Sequence, residues 1–330
     1  MQPDLDDPTL IHEEYQDLPR LSFDFSRMPT MDAFVHSDAR INVLIGPEGE
    51  GKSFGGVASL FLHAERCLPH MDIDPQTGNP FPMRGCVIRD THANLKRHTV
   101  KTIQQATKGY VQFTDGFHKM LAPNMEIELY GMDDEASTSR IQGGEYDIIW
   151  IDEPAPILHT GNSGIRLSVY ITAQRRIRGR STPKRLNVTM NPADTQHWTY
   201  DEFILRPLPN MKVFRIKKGE NPHLSKEDRD ARALAFRDRP DLAKRYEEGE
   251  FGAVFAGTAI TPEFSERIHV SADDNGNPRW LLPIRGVEGI RMWDGGLNPS
   301  CIIVQITPSG HIYFLDAIVG ENMGMRQMIK

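Results

Sequence analysis

Apolar residues in this chain gather in short runs separated by longer amphipathic or polar stretches, the rhythm of an α/β protein. Ile41–Ile45, residues 85–89, 125–130 and 146–151, Arg185–Met190 and Met211–Ile216 each read as a strand. Helices are predicted over 53–66 and 92–107, and the stretch from Gly161 to Ile177 reads as mostly helical. Ser225-Lys226-Glu227-Asp228 opens another helix with a variant capping box, Asp standing where Glu or Gln is usual. Residues 68–84, rich in Pro and Gly, read as a surface insertion. Beyond a linker at Asp273 to Pro278, three short strands are predicted at 289–293, 300–306 and 311–318. There is no internal repeat and no low-complexity tract.

Two of these strands end in residues that carry chemistry. Ile41–Ile45 runs into Gly46-Pro47-Glu48-Gly49-Glu50-Gly51-Lys52-Ser53, which fits G-x-x-x-x-G-K-[ST]. Gly46, Gly49 and Gly51 leave room for backbone N–H groups to turn inward and cradle phosphates at a helix N-terminus. Lys52 can neutralise the β- and γ-phosphates of a nucleotide, and the Ser53 hydroxyl can reach Mg²⁺. About a hundred residues on, the run Tyr146–Ile151 ends in Asp152-Glu153. Asp152 stands where a carboxylate holds Mg²⁺, and Glu153 is placed to polarise water for in-line attack. A glycine-rich turn or an acidic strand end alone is commonplace; both motifs in this order point to nucleotide hydrolysis.

Composition narrows the setting. At 330 residues the chain suggests about two domains with a substantial core. Cys67, Cys86 and Cys301 lie far apart, so neither a zinc site nor a disulfide framework is indicated, and a reducing cytosol is expected. No apolar run approaches the roughly 18 residues of a membrane span, and the acidic N-terminus is not a signal peptide. Residues 1–24 hold seven acids and one base, so the remaining 306 residues carry only −1 of the net −7. That body has basic clusters at Arg175, Arg176, Arg178 and Arg180, at Lys184-Arg185, and at Arg215, Lys217 and Lys218. They could follow a phosphate backbone, or form a solvated face or intersubunit salt bridges.

The ordered segments SDARINVLIGPEGEGKS, RIQGGEYDIIWIDEPA, RLNVTMNPADTQHW and NPHL…RYEEGEF resemble the large terminase subunit of tailed bacteriophages, from about residue 28 to the end of the chain. The resemblance implies an additional-strand, conserved-Glu P-loop ATPase with a mostly parallel central sheet. It implies ATP and Mg²⁺ as cofactors, with Gly46–Ser53 binding ATP, Ser53 and Asp152 on the metal, and Glu153 catalytic. The coupling motif falls on Thr189 and Asn191, where a polar side chain beside the Glu153 strand can sense the γ-phosphate. Many relatives carry Arg or Lys inside the loop; here Pro47, Glu48 and Glu50 stand there, so positive charge must come from elsewhere, such as a neighbouring subunit in a ring. Arg140 resembles the position of such a finger, with slightly longer spacing, and Arg175, Arg176 and Arg178 compete for the role.

The organisation expected is an acidic arm (1–30), an ATPase domain (31–252), a linker (253–284) and the first strands of an RNase H-like nuclease domain (285–330). The resemblance places the first nuclease metal carboxylate, for Mg²⁺ or Mn²⁺, on Asp294, with Gly295-Gly296 admitting a substrate backbone. Further carboxylates would follow a helix beginning near Glu321, so the nuclease is expected to be incomplete at Lys330; Asp316 reads as structural. The partners implied are double-stranded DNA, the portal protein, the small terminase subunit and other copies of the chain in a ring on the procapsid. The implied setting is the host cytoplasm, transiently at the portal vertex and not in the mature virion. Two other classes remain: a helicase-like translocase, which would need a second RecA-like domain, and a truncated DNA- or portal-binding relic.

Overall fold

The computed structural model describes residues 21–76, 78–132, 135–155, 164–237, 239–252, 269–272, 279–295, 299–320 and 325–328. They fall into two compact units, one within Met1–Ala256 and one within Gly257–Lys330.

The first unit is built on an eight-stranded sheet in the order β3-β4-β5-β2-β6-β7-β1-β8. Its strands are β1 (Ile41–Ile45), β2 (Met83–Arg89), β3 (Gln112–Phe113), β4 (Lys119–Ala122), β5 (Met125–Gly131), β6 (Ile148–Asp152), β7 (Arg185–Met190) and β8 (Met211–Arg215). From β5 to β8 every pairing is parallel. All residues of β1, β6 and β7 are buried, as strands covered on both faces must be. β7 is inserted between β1 and β6, so the strand carrying Thr189 separates the glycine-rich loop from Asp152.

β3 and β4 pair antiparallel and close the sheet's far edge. The sequence reading missed them because polar and apolar residues mix without a period across 110–122, and the strands are only two and four residues long. The tight turn into β5 puts Asn124 in the left-handed region at φ 59°.

Helices cover both faces. The principal ones are α1 (Pro29–Val35), α2 (Lys52–Cys67), α3, α4 (Glu135–Gln142), α5 (Leu167–Arg176), α6 (Trp198–Tyr200), α7 (Lys226–Ala235) and α8 (Pro240–Tyr246). α3 runs as His92–Asn94, a π-helical stretch Leu95–Val100, and Lys101–Thr107. The sequence predicts it as one ordinary helix, since a π turn has no pattern of its own. The helical reading from Gly161 narrows to α5 among the described residues, because Gly164 (φ 88°) and extended Arg166 precede its first turn; residues 156–163 lie outside the description. The predicted cap of α7 forms in half: Ser225 accepts from the Asp228 N–H, but its hydroxyl donates to the Asp228 carboxylate.

α2 follows the glycine-rich loop and lies directly on the sheet. A Cβ at Gly56 would run into the Trp150 indole on β6, and one at Gly55 would run into Met31 on α1. This pair of glycines sets how close the loop comes to the strand ends. Residues 23–28, within the stretch the sequence reading assigns to the acidic arm, pack into the core: Phe25 and Met28 join Met31, Phe34, Leu44 and Phe214.

Arg185, one of the basic residues considered for DNA contact, is buried inside the fold. Its Nη1 donates to Val35 O at 3.0 Å and its Nε to Asn187 Oδ1 at 2.8 Å, and burial lowers its pKa to about 10. Lys218 pairs with Glu247, whereas Arg175, Arg178, Arg180, Arg215 and Lys217 are exposed.

The second unit contains an antiparallel sheet of β9 (Gly289–Asp294), β10 (Ser300–Ile306) and β11 (Ile312–Val319), in the order β11-β10-β9. Buried Gln305 ties it to the preceding segment through Ile284 and Val287. A short helix, Met325–Met328, follows. Gly296 and residues 321–324, where a substrate approach and a helix start are expected, lie outside the described residues. Among the described residues no helix is long and apolar enough to cross a membrane.

Candidate active site

The C-terminal ends of β1, β7, β6 and β2 meet one cavity of about 770 Å³, the edge of a parallel sheet where α/β proteins bind ligands. On one side it is lined by Glu48, Gly49, Gly51, Lys52 and Ser53 of the loop. Gly49 (φ 80°) and Gly51 (φ 79°) hold left-handed conformations that favour glycine, and Gly51 is the N-cap of α2. The loop is fastened from outside. Glu48 N–H donates to Tyr246 O at 2.8 Å, and Gly46 N–H to Met190 O at 3.3 Å.

The Glu50 side chain is not part of the cavity lining. Its carboxylate is buried and accepts from Gly219 N–H (2.8 Å) and Asn221 N–H (2.7 Å), while Asn221 Nδ2 donates to Gly49 O (2.7 Å). The acidic residue that looks misplaced in a phosphate-binding loop therefore staples the loop's shape. Pro47 contributes its carbonyl, which accepts from Lys52 Nζ at 2.6 Å.

Asp152 ends β6 wholly buried, with both carboxylate oxygens engaged. Oδ1 accepts from Ser53 Oγ (3.1 Å) and Thr189 Oγ1 (2.9 Å); Oδ2 accepts from Thr99 Oγ1 (2.7 Å) and Arg89 Nη1 (2.5 Å). The Thr189 hydroxyl also accepts from Trp150 Nε1 (2.8 Å) and is fully buried. The two residues of the expected coupling motif thus have different surroundings: Thr189 supports Asp152 and does not line the cavity, whereas Asn191 does.

Asn191 joins the two charged groups of the cavity. Its Oδ1 accepts from Lys52 Nζ at 2.7 Å. Its backbone N–H donates to Glu153 Oε2 at 3.1 Å, and Nδ2 donates to Oε1 and Oε2 at 3.3 and 3.4 Å. Glu153 itself sits at φ 50°, a conformation that costs a non-glycine residue about 1 kcal/mol or more. Its N–H is pinned to Thr189 O at 2.8 Å, which fixes where the carboxylate enters the cavity.

Burial raises the Glu153 pKa, and the Lys52 charge opposes that rise. Burial lowers the Lys52 pKa against the pull of Glu153, Glu48, Asp152 and Glu50. The sign of one perturbation follows. Asn191→Ala keeps the backbone N–H bond to Glu153 but removes the longer Nδ2 contacts, so the carboxylate takes up its proton at slightly higher pH. The acid limb of the turnover–pH profile is expected to move up slightly. The substitution also removes the Oδ1 acceptor of Lys52, and hydrogen bonds to charged groups are worth about 1.5–3 kcal/mol, so turnover should fall about tenfold to a hundredfold. An unmoved limb would mean that Asn191 does not tune this group.

The opposite wall carries Arg89 at the end of β2 with Asp90 beside it, and Arg97, Lys101 and His98 on α3; burial and the Arg89 and Arg97 charges lower the His98 pKa. The sequence reading missed all of them, and Thr99. A polar residue ending an apolar run was a usable signal, since Arg89 ends β2 as Asp152 ends β6; the strand order that makes the two neighbours was not readable. The candidate finger residues are elsewhere. Arg140 is exposed on α4, and Arg175 and Arg176 line a separate small cavity with Gln142 and Thr172. Arg178 pairs with Glu145 at 3.2 Å.

Ser53 Oγ and Asp152 Oδ1 are two hard oxygen donors side by side at the end of a phosphate-binding loop, a set that fits Mg²⁺, which takes most of its remaining ligands from phosphates and water. In the second unit, Asp294 lies opposite Ser300, and Asp316 opposite Ile303. The β10–β11 register shifts between Ile303 and Val304, so Asp316 stands beside a bulge in the ladder. Among the described residues, no group of three or more His, Cys, Asp or Glu side chains could hold a metal.

Neither a protein-family model nor a curated protein matches the sequence. Among solved structures, one crystal form of the large terminase from the thermophilic bacteriophage D6E is similar at TM-score 0.56 and 17% identity, over 94% of this chain and 70% of that one. The D6E large terminase in complex with ADP gives 0.55 at 16% identity, over 93% and 70%. In complex with ATP-γ-S it gives 0.54 at 15%, over 94% and 70%. At such identities the likeness is one of architecture, and the chain has a large-terminase-like α/β fold with a mostly parallel sheet.

Proposed function

We propose that this chain is an ATP-hydrolysing motor subunit of the large terminase type, which moves double-stranded DNA into a procapsid. The observation that carries the reading is the Lys52–Asn191–Glu153 chain of hydrogen bonds beside the Ser53–Asp152 pair, all at one cavity. Lys52 and the loop N–H groups hold the phosphates, and Ser53 with Asp152 hold the metal. When bound, Mg²⁺ neutralises charge on the β- and γ-phosphates. Glu153 orients a water molecule and accepts its proton as the water attacks the γ-phosphorus in line. Asn191, bonded to both Lys52 and Glu153, is the group through which loss of the γ-phosphate alters both. The second unit's small antiparallel sheet gives no support to a helicase with two RecA-like domains. The direct test is ATP turnover by the purified chain, with and without double-stranded DNA and proheads. No turnover under any of these conditions would sink the reading.

The missing positive charge in the loop motivates an assembly experiment. Arg140 lies exposed on α4 and does not line its own chain's cavity, as expected of a finger offered to a neighbour in a homo-oligomeric ring. Mixing Arg140→Ala subunits with Glu153→Ala subunits should restore part of the activity, because some interfaces then join an intact Arg140 to an intact Glu153. Absence of rescue at every ratio, with both variants folded, counts against Arg140 acting in trans.

For the nuclease, the reading is an RNase H-like domain with Asp294 as its first metal carboxylate, binding Mg²⁺ or Mn²⁺. Two-metal cleavage needs several carboxylates around both ions, and among the described residues no group of three or more His, Cys, Asp or Glu side chains could hold a metal. Metal-dependent nicking of plasmid DNA that disappears in Asp294→Ala would support the assignment of Asp294, and nicking unchanged by that substitution would remove it. The partners that complete the reading are the portal protein and the small terminase subunit, met in the host cytoplasm and at the procapsid vertex, with the chain leaving before the virion matures.

A further inference from the structure

The loop Gly46–Ser53 brings no arginine or second lysine to the phosphates, yet a guanidinium already stands inside the same cavity. Arg89 ends β2, the strand next to β6, and is 13% exposed. Nη1 donates to both Asp152 Oδ2 (2.5 Å) and Thr99 Oγ1 (2.9 Å). Among the described residues these are its side-chain hydrogen bonds. Nε is buried and has no acceptor, with the Asp90 carboxylate 3.8 Å away. Nη1 is thus anchored, while Nη2 makes no hydrogen bond among the described residues and the side chain lines the cavity. The π-helical stretch Leu95–Val100 carries Thr99, whose hydroxyl reaches both Arg89 and Asp152.

The division of the Asp152 carboxylate locates the free part of the guanidinium. Oδ1 faces Ser53, and these two oxygens would hold the cation that accompanies the phosphates. Oδ2, on the same carboxylate, touches Arg89. Arg89 and the cation would therefore flank one carboxylate, and Arg89 lines the same cavity as Lys52 and Ser53, which would take the phosphates. Arginine suits this double duty, since its planar fork presents several donors in fixed directions while remaining charged.

From this we infer that Arg89 is a catalytic residue acting in cis, which holds Asp152 with one edge of its guanidinium and contacts the γ-phosphate of ATP with the other. It supplies within the subunit part of the charge that the loop lacks. The inference rests on the reading of this cavity as the hydrolytic site. It differs from a positioning role for Arg89 in one respect. A residue that only orients Asp152 acts through the metal, and so alters ADP and ATP binding alike and only when Mg²⁺ is present.

The test is equilibrium binding of ADP and of ATP-γ-S to wild type, Arg89→Gln and Arg89→Lys, each in Mg²⁺ and in EDTA, with melting curves to establish folding. Arg89→Gln should lose about tenfold in affinity for ATP-γ-S and less than twofold for ADP, and the selective loss should persist in EDTA. Arg89→Lys keeps the charge and the Asp152 pair but cannot bridge to the phosphate, so it should show the same selectivity to a smaller degree. It also serves as the readout if Arg89→Gln does not fold. Equal losses for the two nucleotides, losses confined to Mg²⁺, or no loss would each overturn the inference. If wild type itself bound neither nucleotide, the reading of the cavity would fail first, and with a different signature.

Discussion

Replacing Glu153 with Gln should leave a chain that binds ATP normally and hydrolyses it about 10²–10⁴-fold more slowly, the usual scale for loss of a general base. Gln has nearly the same shape, so the left-handed backbone at φ 50° and the N–H bond to Thr189 O can persist. What disappears is the acceptor of the water's proton. The amide can still meet the Asn191 donors with its oxygen, so the phosphate side of the cavity, built by Lys52, Ser53 and the loop N–H groups, is undisturbed. Steady-state turnover together with nucleotide affinity decides the matter. Near-native turnover in a folded Glu153→Gln chain would remove Glu153 from the chemistry and leave Asp152 as the principal carboxylate of the site.

Much of the site was legible because local sequence and chemistry coincide there. Gly46–Ser53 needs left-handed glycines and a lysine at fixed spacing, and a strand ending in Asp152-Glu153 announces carboxylates at a sheet edge. The central strands were legible for the same reason, since strands buried on both faces must be apolar. What was not legible depends on residues distant in sequence becoming neighbours. Nothing near Glu50 shows that its carboxylate will meet the N–H groups of Gly219 and Asn221. Nothing near Thr189 shows that Trp150 and Asp152 will occupy the hydroxyl of this residue, read from the sequence as part of the coupling motif. Arg185 looks like surface charge in a basic cluster, yet β7 begins there in the interior, and the carbonyls of Phe34 and Val35 receive its guanidinium. β3 and β4 showed no period because, at two and four residues, they are too short for one to repeat.

Lys52→Ala should abolish both binding and turnover, and the contrast with Glu153→Gln separates the two halves of the mechanism. In the folded chain the Lys52 ammonium is buried, donates to Pro47 O and Asn191 Oδ1, and feels the pull of Glu153, Glu48, Asp152 and Glu50. Without it a triphosphate must enter a cleft whose near wall is acidic. Charge-assisted hydrogen bonds are worth about 1.5–3 kcal/mol each, so losing two to the phosphates costs about 3–6 kcal/mol, or on the order of 10²–10⁴ in affinity. The fold should suffer far less. Pro47 O and Asn191 Oδ1 lose a donor, at about 1–3 kcal/mol per unsatisfied group, but the cost of burying the ammonium disappears as well. In a unit of this size that corresponds to a fall in melting temperature of a few degrees, roughly 2–4 °C per kcal/mol. Calorimetric titration with ATP and a melting curve on the same preparation therefore suffice. A folded Lys52→Ala chain that bound ATP within about threefold of wild type would place the phosphate contacts on Arg97 and Lys101 of the opposite wall rather than on the glycine-rich loop.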